Sequence, residues 1–412
     1  MQNNYRIDPS RIWNSLMEMG EIGATEKGGC CRLALTELDR QGRDLFVRWC
    51  REAGCEIRVD QVGNIFARRP GSDPDAAPIT TGSHLDTQPT GGKFDGIYGC
   101  LAGLEVIRSL NDHNIQTRRP VEVSVWTNEE GSRFAPAMVA SGVFSGKFSL
   151  DYALQQCDAQ GISLGDALQA IGYAGDEVVG EHPIHRFFEL HIEQGPVLER
   201  EQLDIGVVTG VLGMRWYDVT VKGTSAHAGP TPMDYRHDAL YAASRVFSSL
   251  YELTASGEAG DSRCTVGELS IEKASRNVIP GEVRFSLDLR HAELDGLGAL
   301  EQAAQELIAR VAADTGTEIE MNCIWDSPPV AFAEDCVDAV EAAVAASGFS
   351  YTRMTSGAGH DAVNLSTVVP TSMIFIPSIG GISHNEAEYS NPGQVAKGCQ
   401  ILFEVMLEQA GR

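Results

Sequence analysis

Apolar and polar positions follow two different rhythms along this chain. Residues 77–83, 121–127, 186–192 and 371–377 ("APITTGS", "VEVSVWT", "RFFELHI", "TSMIFIP") are short runs rich in apolar or small residues, as in strands covered on both faces. Between them the apolar positions recur at helical spacing. They predict helices at 8–20, 36–53 and 98–111, within 135–173, and at 334–347, 361–366 and 392–409. The 36–53 segment shows the logic: Thr36 stands where a cap belongs, Leu45, Phe46, Trp49 and Cys50 share a face, and Gly54 ends the helix. "CEIRVDQVGNIFARRPG" predicts a hairpin around Gly63-Asn64, and "IGVVTGVLG" and "FSYTRM" predict further strands. Strands alternating with helices place this part in the α/β class, with a mainly parallel sheet covered on both faces.

Residues 214–326 keep a different order. Strand ("RWYDVTVKG"), helix (237–254), strand ("CTVGELSIEK"), strand ("GEVRFSLDLR"), helix (293–315) and strand ("TEIEMNCIW") make a ferredoxin-like βαββαβ unit. This predicts an α+β lobe at 214–326 inserted into a discontinuous domain formed by 1–213 and 327–412.

Composition narrows the field of partners. The 412 residues carry 32 basic and 57 acidic side chains, a net charge of −25, without long blocks of one sign. Such a surface repels nucleic acid and anionic membrane, and a small anionic substrate would need local positive charge from an arginine or a metal. No apolar run reaches the roughly 18 residues of a membrane span, and the N-terminus lacks the basic-then-apolar order of a signal peptide. Ten scattered cysteines without a C-x-x-C pair predict reduced thiols in a cytoplasmic protein.

The chemistry gathers where the apolar strands end. "APITTGS" runs into His84 and Asp86, with Asp95 in the glycine-rich loop beyond; "VEVSVWT" runs into Asn128-Glu129-Glu130. "RFFELHI" carries His191 and ends at Glu193-Gln194, and "TSMIFIP" leads to His384-Asn385-Glu386. Parallel sheets form binding crevices at this edge. Each residue alone has an ordinary reading: a hydrogen-bonded structural histidine, a turn aspartate, a solvated pair of acids. Two adjacent carboxylates directly after a strand nevertheless repel unless a cation sits beside them. Three histidines and several carboxylates without a thiol are ligands for a borderline or hard divalent ion.

Seven motifs carry a family resemblance: "GSHLDTQPTGGKFDGIYG", "TNEEGSRF", "ELHIEQGPVLE", "GTSAHAGPTPMDYRHDA", "RNVIPGEVRFSLDLR", "SGAGHDA" and "GGISHNEAEYS". In these the chain resembles the dinuclear metallo-amidohydrolases of the M20 superfamily. Within it, the chain is similar to the branch of N-carbamoyl-L-amino acid hydrolases, β-ureidopropionases and allantoate amidohydrolases.

The resemblance implies two divalent ions per subunit, zinc or manganese, with cobalt and nickel also compatible. Asp95 bridges them, His84 and His191 complete one, and Glu130 and His384 complete the other. Asp86 orients the His84 ring, and Glu129 is the general base. Arg290 holds the carboxylate of a small ureido acid, with Asn277 assisting and Gln194 at the same end. His227 polarises the scissile carbonyl from a partner subunit, which implies a homodimer built through the inserted lobe. His360 and Asp361 are assigned support only, and His237 and Asp238 the organisation of the helix they precede. The activity implied is cleavage of an N-carbamoyl amino acid to amino acid, carbon dioxide and ammonia. Allantoate amidohydrolase is the near alternative. A peptidase or aminoacylase is more distant, since those commonly carry a carboxylate where this chain has His191. A metal-dependent binder that kept the fold is the non-enzymatic alternative.

Overall fold

A computed structural model describes residues 5–257 and 259–411. The chain forms two compact units, one of residues up to Thr209 and from Phe332 onward, the other Gly210–Ala331.

In the larger unit, the apolar runs lie at the centre of a sheet. Val121–Trp126, Ile79–His84, Arg186–Ile192 and Thr371–Ile376 are adjacent in that order and run parallel. Nearly every residue in them is buried, which is why the sequence shows little alternation there. Antiparallel strands flank this centre. The hairpin Glu56–Val59 and Ile65–Arg69 pairs on one side, and Ile205–Val211 on the other. The parallel expectation therefore holds for the four central strands and gives way at both margins, where the flanking strands run antiparallel.

Helices cover the sheet. Asp8 caps Pro9–Gly20 and Thr36 caps Glu37–Glu52, while Asn391 and Gln394 form a reciprocal capping box on Pro392–Ala410. Ile97–Asp112 buries Leu101, Leu104, Val106, Ile107 and Leu110. Each such side chain contributes about 1.5–3 kcal/mol of burial. This rigid layer starts one residue after Gly96, so it fixes the loop carrying Asp95.

The smaller unit alternates buried and solvated positions, as Glu282–His291 shows along its length. The strand order is Leu269–Ile271, Glu282–His291, Gly213–Lys222 and Glu318–Ser327, all antiparallel. Helices Ala239–Ala255 and Leu294–Thr315 contribute Val246, Leu250, Leu300 and Ile308 to a core with Val219, Val221, Phe285 and Leu287. The run at 264–273, expected as one strand, is two: Arg263–Thr265 and Leu269–Ile271. Ser286 explains the break, because its hydroxyl takes the Glu268 N–H at 2.9 Å and its own N–H bonds the Glu268 carbonyl. Among the described residues no helix is long and apolar enough to cross a membrane.

Candidate metal centre

Two histidines at the ends of neighbouring strands set the first half of the site. The His84 ring bonds the Asp86 carbonyl through Nδ1 at 2.9 Å, and His191 bonds the Ile192 carbonyl in the same way at 2.9 Å. With Nδ1 held on the backbone, each ring turns Nε2 toward Asp95, and His191 Nε2 also meets the Gly96 N–H at 3.1 Å. The distances to Asp95 Oδ1 are 3.5 Å from His84 and 3.2 Å from His191. Gly96 lets the chain make this approach. Its φ is +69°, and a Cβ there would overlap the His84 ring.

The second half uses the other oxygen of the same carboxylate. His384 Nε2 lies 3.5 Å from Asp95 Oδ2 and 3.3 Å from Glu130 Oε2. Two donor sets result, His84–Asp95–His191 and Asp95–Glu130–His384, each with its ligand atoms within 4.8 Å of one another. Electrostatics fit a cation. Burial first, then Asp95, pushes Glu130 up to about 8, and Glu388 is pushed up to about 7 by the same two causes. Glu129 is held well above the usual range, mainly by burial. Burial would lower His84, but Glu129, Asp95 and Asp86 outweigh it and hold its pKa well above the ordinary value. The raised His84 pKa means that a proton stands among these acids where a cation would otherwise balance them, so the cluster is suited to a divalent ion that takes the proton's place.

Loops after the strands aim the remaining groups. Glu129 Oε2 is 3.4 Å from His84 Nε2, and its backbone follows Asn128 at φ +56°. Gln194 (φ +58°) and His384 (φ +53°) share this uncommon conformation. Such residues cost about 1–3 kcal/mol each and persist only where their surroundings hold them. Asp86 supplies part of that hold, and here the expected role changes. Its carboxylate does not orient the His84 ring; it accepts the N–H groups of Glu129 and Glu130, each at 3.3 Å. The ring needs one acceptor, which the Asp86 main-chain carbonyl provides, leaving the carboxylate for two donors that otherwise have none. Gln194 donates Nε2 to Asp95 Oδ2 at 2.8 Å.

Three residues without an expected role stand beside these. Gln88 bonds Glu130 through Nε2 at 2.7 Å and through its N–H at 3.1 Å. Glu388 accepts the N–H groups of Phe94 and Asp95, and Ser383 bridges Glu388 to Asp95. All three lie inside the quoted motifs, but nothing in their spacing distinguishes them from loop residues. His360, given only a supporting part, packs behind His191 with ring centroids 4.5 Å apart. Burial and the His191 charge hold its pKa well below the ordinary value, so it stays neutral. Asp361 is fully buried.

In the smaller unit, His227 and Asn277 are neighbours. Ala226–His227 pairs with Val278–Ile279, and the Ala228 N–H bonds the Asn277 carbonyl at 2.9 Å. Both residues are exposed. Arg290 is half-buried and forks onto Asp288 at 2.7–3.1 Å. Asp238 caps Ala239–Ala255, and the His237 ring reaches the Thr315 carbonyl at 3.3 Å.

Known proteins of similar sequence and structure share this whole frame. An N-carbamoyl-L-amino-acid amidohydrolase of Rhizobium meliloti is 46% identical over 411 residues, covering 99% of this chain and 98% of that protein. An allantoate amidohydrolase of Escherichia coli (strain K12) is 35% identical over 402 residues, covering 97% of each. The crystal structure of an amidase of the hydantoinase/carbamoylase family from Burkholderia multivorans superposes with a TM-score of 0.97 at 54% identity, covering 100% of both chains. Residues 80–408 match the description of peptidase family M20/M25/M40. That match spans both donor sets and most of the chain, and the protein belongs to this family.

Proposed function

We propose that this protein is a metal-dependent amidohydrolase that cleaves the ureido C–N bond of N-carbamoyl-L-amino acids. The observation that carries the reading is Asp95, one buried carboxylate facing two separate donor sets, with Glu129 beside them. His84 and His191 would hold one divalent ion and Glu130 and His384 the other, with Asp95 a donor to both sets. Zinc or manganese suits these ligands, as do cobalt and nickel. When bound, the ions polarise the ureido carbonyl and make water more acidic. Glu129 takes the proton from the attacking water and delivers it to the departing amino-acid nitrogen. The carbamic acid released breaks down to carbon dioxide and ammonia, so one water is consumed per substrate.

Recognition falls to the residues named from the resemblance. Arg290 grips the substrate carboxylate with its planar fork, Asn277 and Gln194 contact the same end, and His227 polarises the carbonyl. The Arg290 fork, which rests on Asp288, would turn to the substrate carboxylate and bring local positive charge to it on a surface of net −25. The 214–326 lobe serves as the dimerisation lobe. Its edge strand Glu318–Ser327 leaves Ile324 and Trp325 exposed, and Trp325 pairs with the equally exposed Trp216. An apolar sheet edge of this kind is suited to a second copy of the chain.

The test is turnover of N-carbamoyl-L-amino acids, N-carbamoyl-β-alanine and allantoate before and after chelation and reconstitution. Activity on the carbamoyl α-amino acids, lost on stripping and restored by zinc or manganese, is expected. Preference for allantoate, the substrate named for the Escherichia coli relative, would replace the specific assignment. Full turnover after exhaustive removal of divalent ions would end the metal reading.

A further inference from the structure

The two donor sets are not built alike. His84 and His191 stand on central strands, 1% exposed, each ring fixed by a backbone carbonyl. His384 sits on a loop at φ +53° with its side chain 52% exposed. Something must hold this second set in register, and the carboxylate of Glu388 is placed to do so. It is 5% exposed, and Oε1 accepts the N–H of Phe94 at 3.1 Å and of Asp95 at 3.0 Å. Gly92 leaves it room, since a Cβ there would run into Oε1.

The other oxygen works on His384. Ser383 Oγ lies 3.0 Å from Glu388 Oε2 and 2.9 Å from Asp95 Oδ2, the oxygen that faces His384. Ser383 and Glu388 flank His384 in sequence, and the Glu388 N–H bonds the Asn385 carbonyl at 3.0 Å. One buried side chain thus clasps the Asp95 loop with one oxygen and closes the His384 turn with the other. We propose that Glu388 is a positioning residue for the Asp95–Glu130–His384 ion site, so that this site depends on it and the His84–Asp95–His191 site far less. The proposal rests on the dinuclear reading above.

The experiment is ion binding to the stripped full-length protein, with zinc as the probe in competition against a fluorescent chelator. The parent chain is expected to take two ions. In Glu388→Ala one of the two ions loses about tenfold to a hundredfold in affinity, the range seen when such outer partners are removed, while the other changes far less. Glu388→Gln recovers most of the loss, because the amide oxygen still accepts the two N–H groups and its nitrogen donates to Ser383. Ser383→Ala leaves the Glu388 clasp on the Asp95 loop and weakens the same ion by a smaller factor, which keeps the test decisive if Glu388→Ala does not fold. Equal weakening of both ions, or none, in the variants would overturn the positioning role alone. A parent chain that takes fewer than two ions would overturn the dinuclear reading and this proposal with it.

Discussion

In the larger unit His84, His191, Asp95 and Glu129 are 1%, 1%, 5% and 7% exposed, and each histidine ring is held by a backbone carbonyl. In the smaller unit His227 and Asn277 lie at the surface, while Arg290 rests half-buried against Asp288. The difference fits the roles proposed for these groups. Charges that take part in bond-breaking gain most when fixed in a place where water cannot screen them. Groups that grip a substrate must be reachable, and they give up preorganisation for reach. The two sets should therefore fail differently when altered.

The larger unit offers the sharpest break. Asp95→Asn should abolish uptake of both ions and all measurable turnover, since it removes the charge the two donor sets share. Glu129→Gln should lower turnover by about 10²- to 10⁴-fold with ion uptake unchanged, because Glu129 is beside the donors without being one. Paired metal analysis and steady-state kinetics check this, and unchanged hydrolysis by the Glu129 variant would remove the mechanism. For the smaller unit, Arg290→Lys should lower kcat/KM about tenfold to a hundredfold, through KM, as expected for losing a charge-assisted fork worth about 1.5–3 kcal/mol. Ion content and thermal midpoint should not move. A variant that instead lost metal would erase the contrast between the units.

How much of this contrast was legible in the sequence depended on distance along the chain. The central strands stood out because burial on both faces leaves unbroken apolar runs, and their parallel order follows from the helices between them. Asp95, Glu130 and His384 could be grouped because each follows such a strand. Glu388 could not, since its partner Asp95 is 293 residues away and an acid in a polar loop is ordinary. Asp86 was found but its labour was misread: a sequence does not reveal whether a side chain or its own carbonyl faces a ring. The adjacency of His227 and Asn277 was equally hidden, since it rests on a two-residue pairing too short to leave a pattern.

The acids of the larger unit also make ion binding depend on pH. Burial and Asp95 push Glu130 up to about 8, so as the proposed ligand it would release a proton on binding an ion at neutral pH. Affinity of the Asp95–Glu130–His384 set should therefore rise by up to about tenfold for each pH unit below 8 and then flatten as Glu130 ionises. Competition titrations at pH 6, 7, 8 and 9 measure the slope. A flat profile would mean that Glu130 is already ionised, and that the buried set is better solvated than its surroundings imply.

A smaller effect separates burial that serves chemistry from burial that serves the fold. His182 lies in the larger unit away from both donor sets, stacked on Phe66 with centroids 3.9 Å apart. Its Nε2 is 3.0 Å from both oxygens of Glu122 and its Nδ1 is 3.1 Å from Glu177, which also pairs with Arg58. A ring that donates from both nitrogens is an imidazolium. Burial would lower its pKa, but Glu122 and Glu177 outweigh burial and raise it. For a base whose folded pKa is raised, the stabilisation is complete below the unfolded value near 6.5 and is lost as pH climbs through the folded value. His182→Gln should cost about 1 kcal/mol at pH 6, seen as a lower thermal midpoint, and the gap from the parent should close at alkaline pH. Ion uptake and turnover should stay at parental levels, because no bond links His182 to the donors. A gap that widened with pH would mean that the ring is held neutral, and that Glu122 rather than His182 carries the proton.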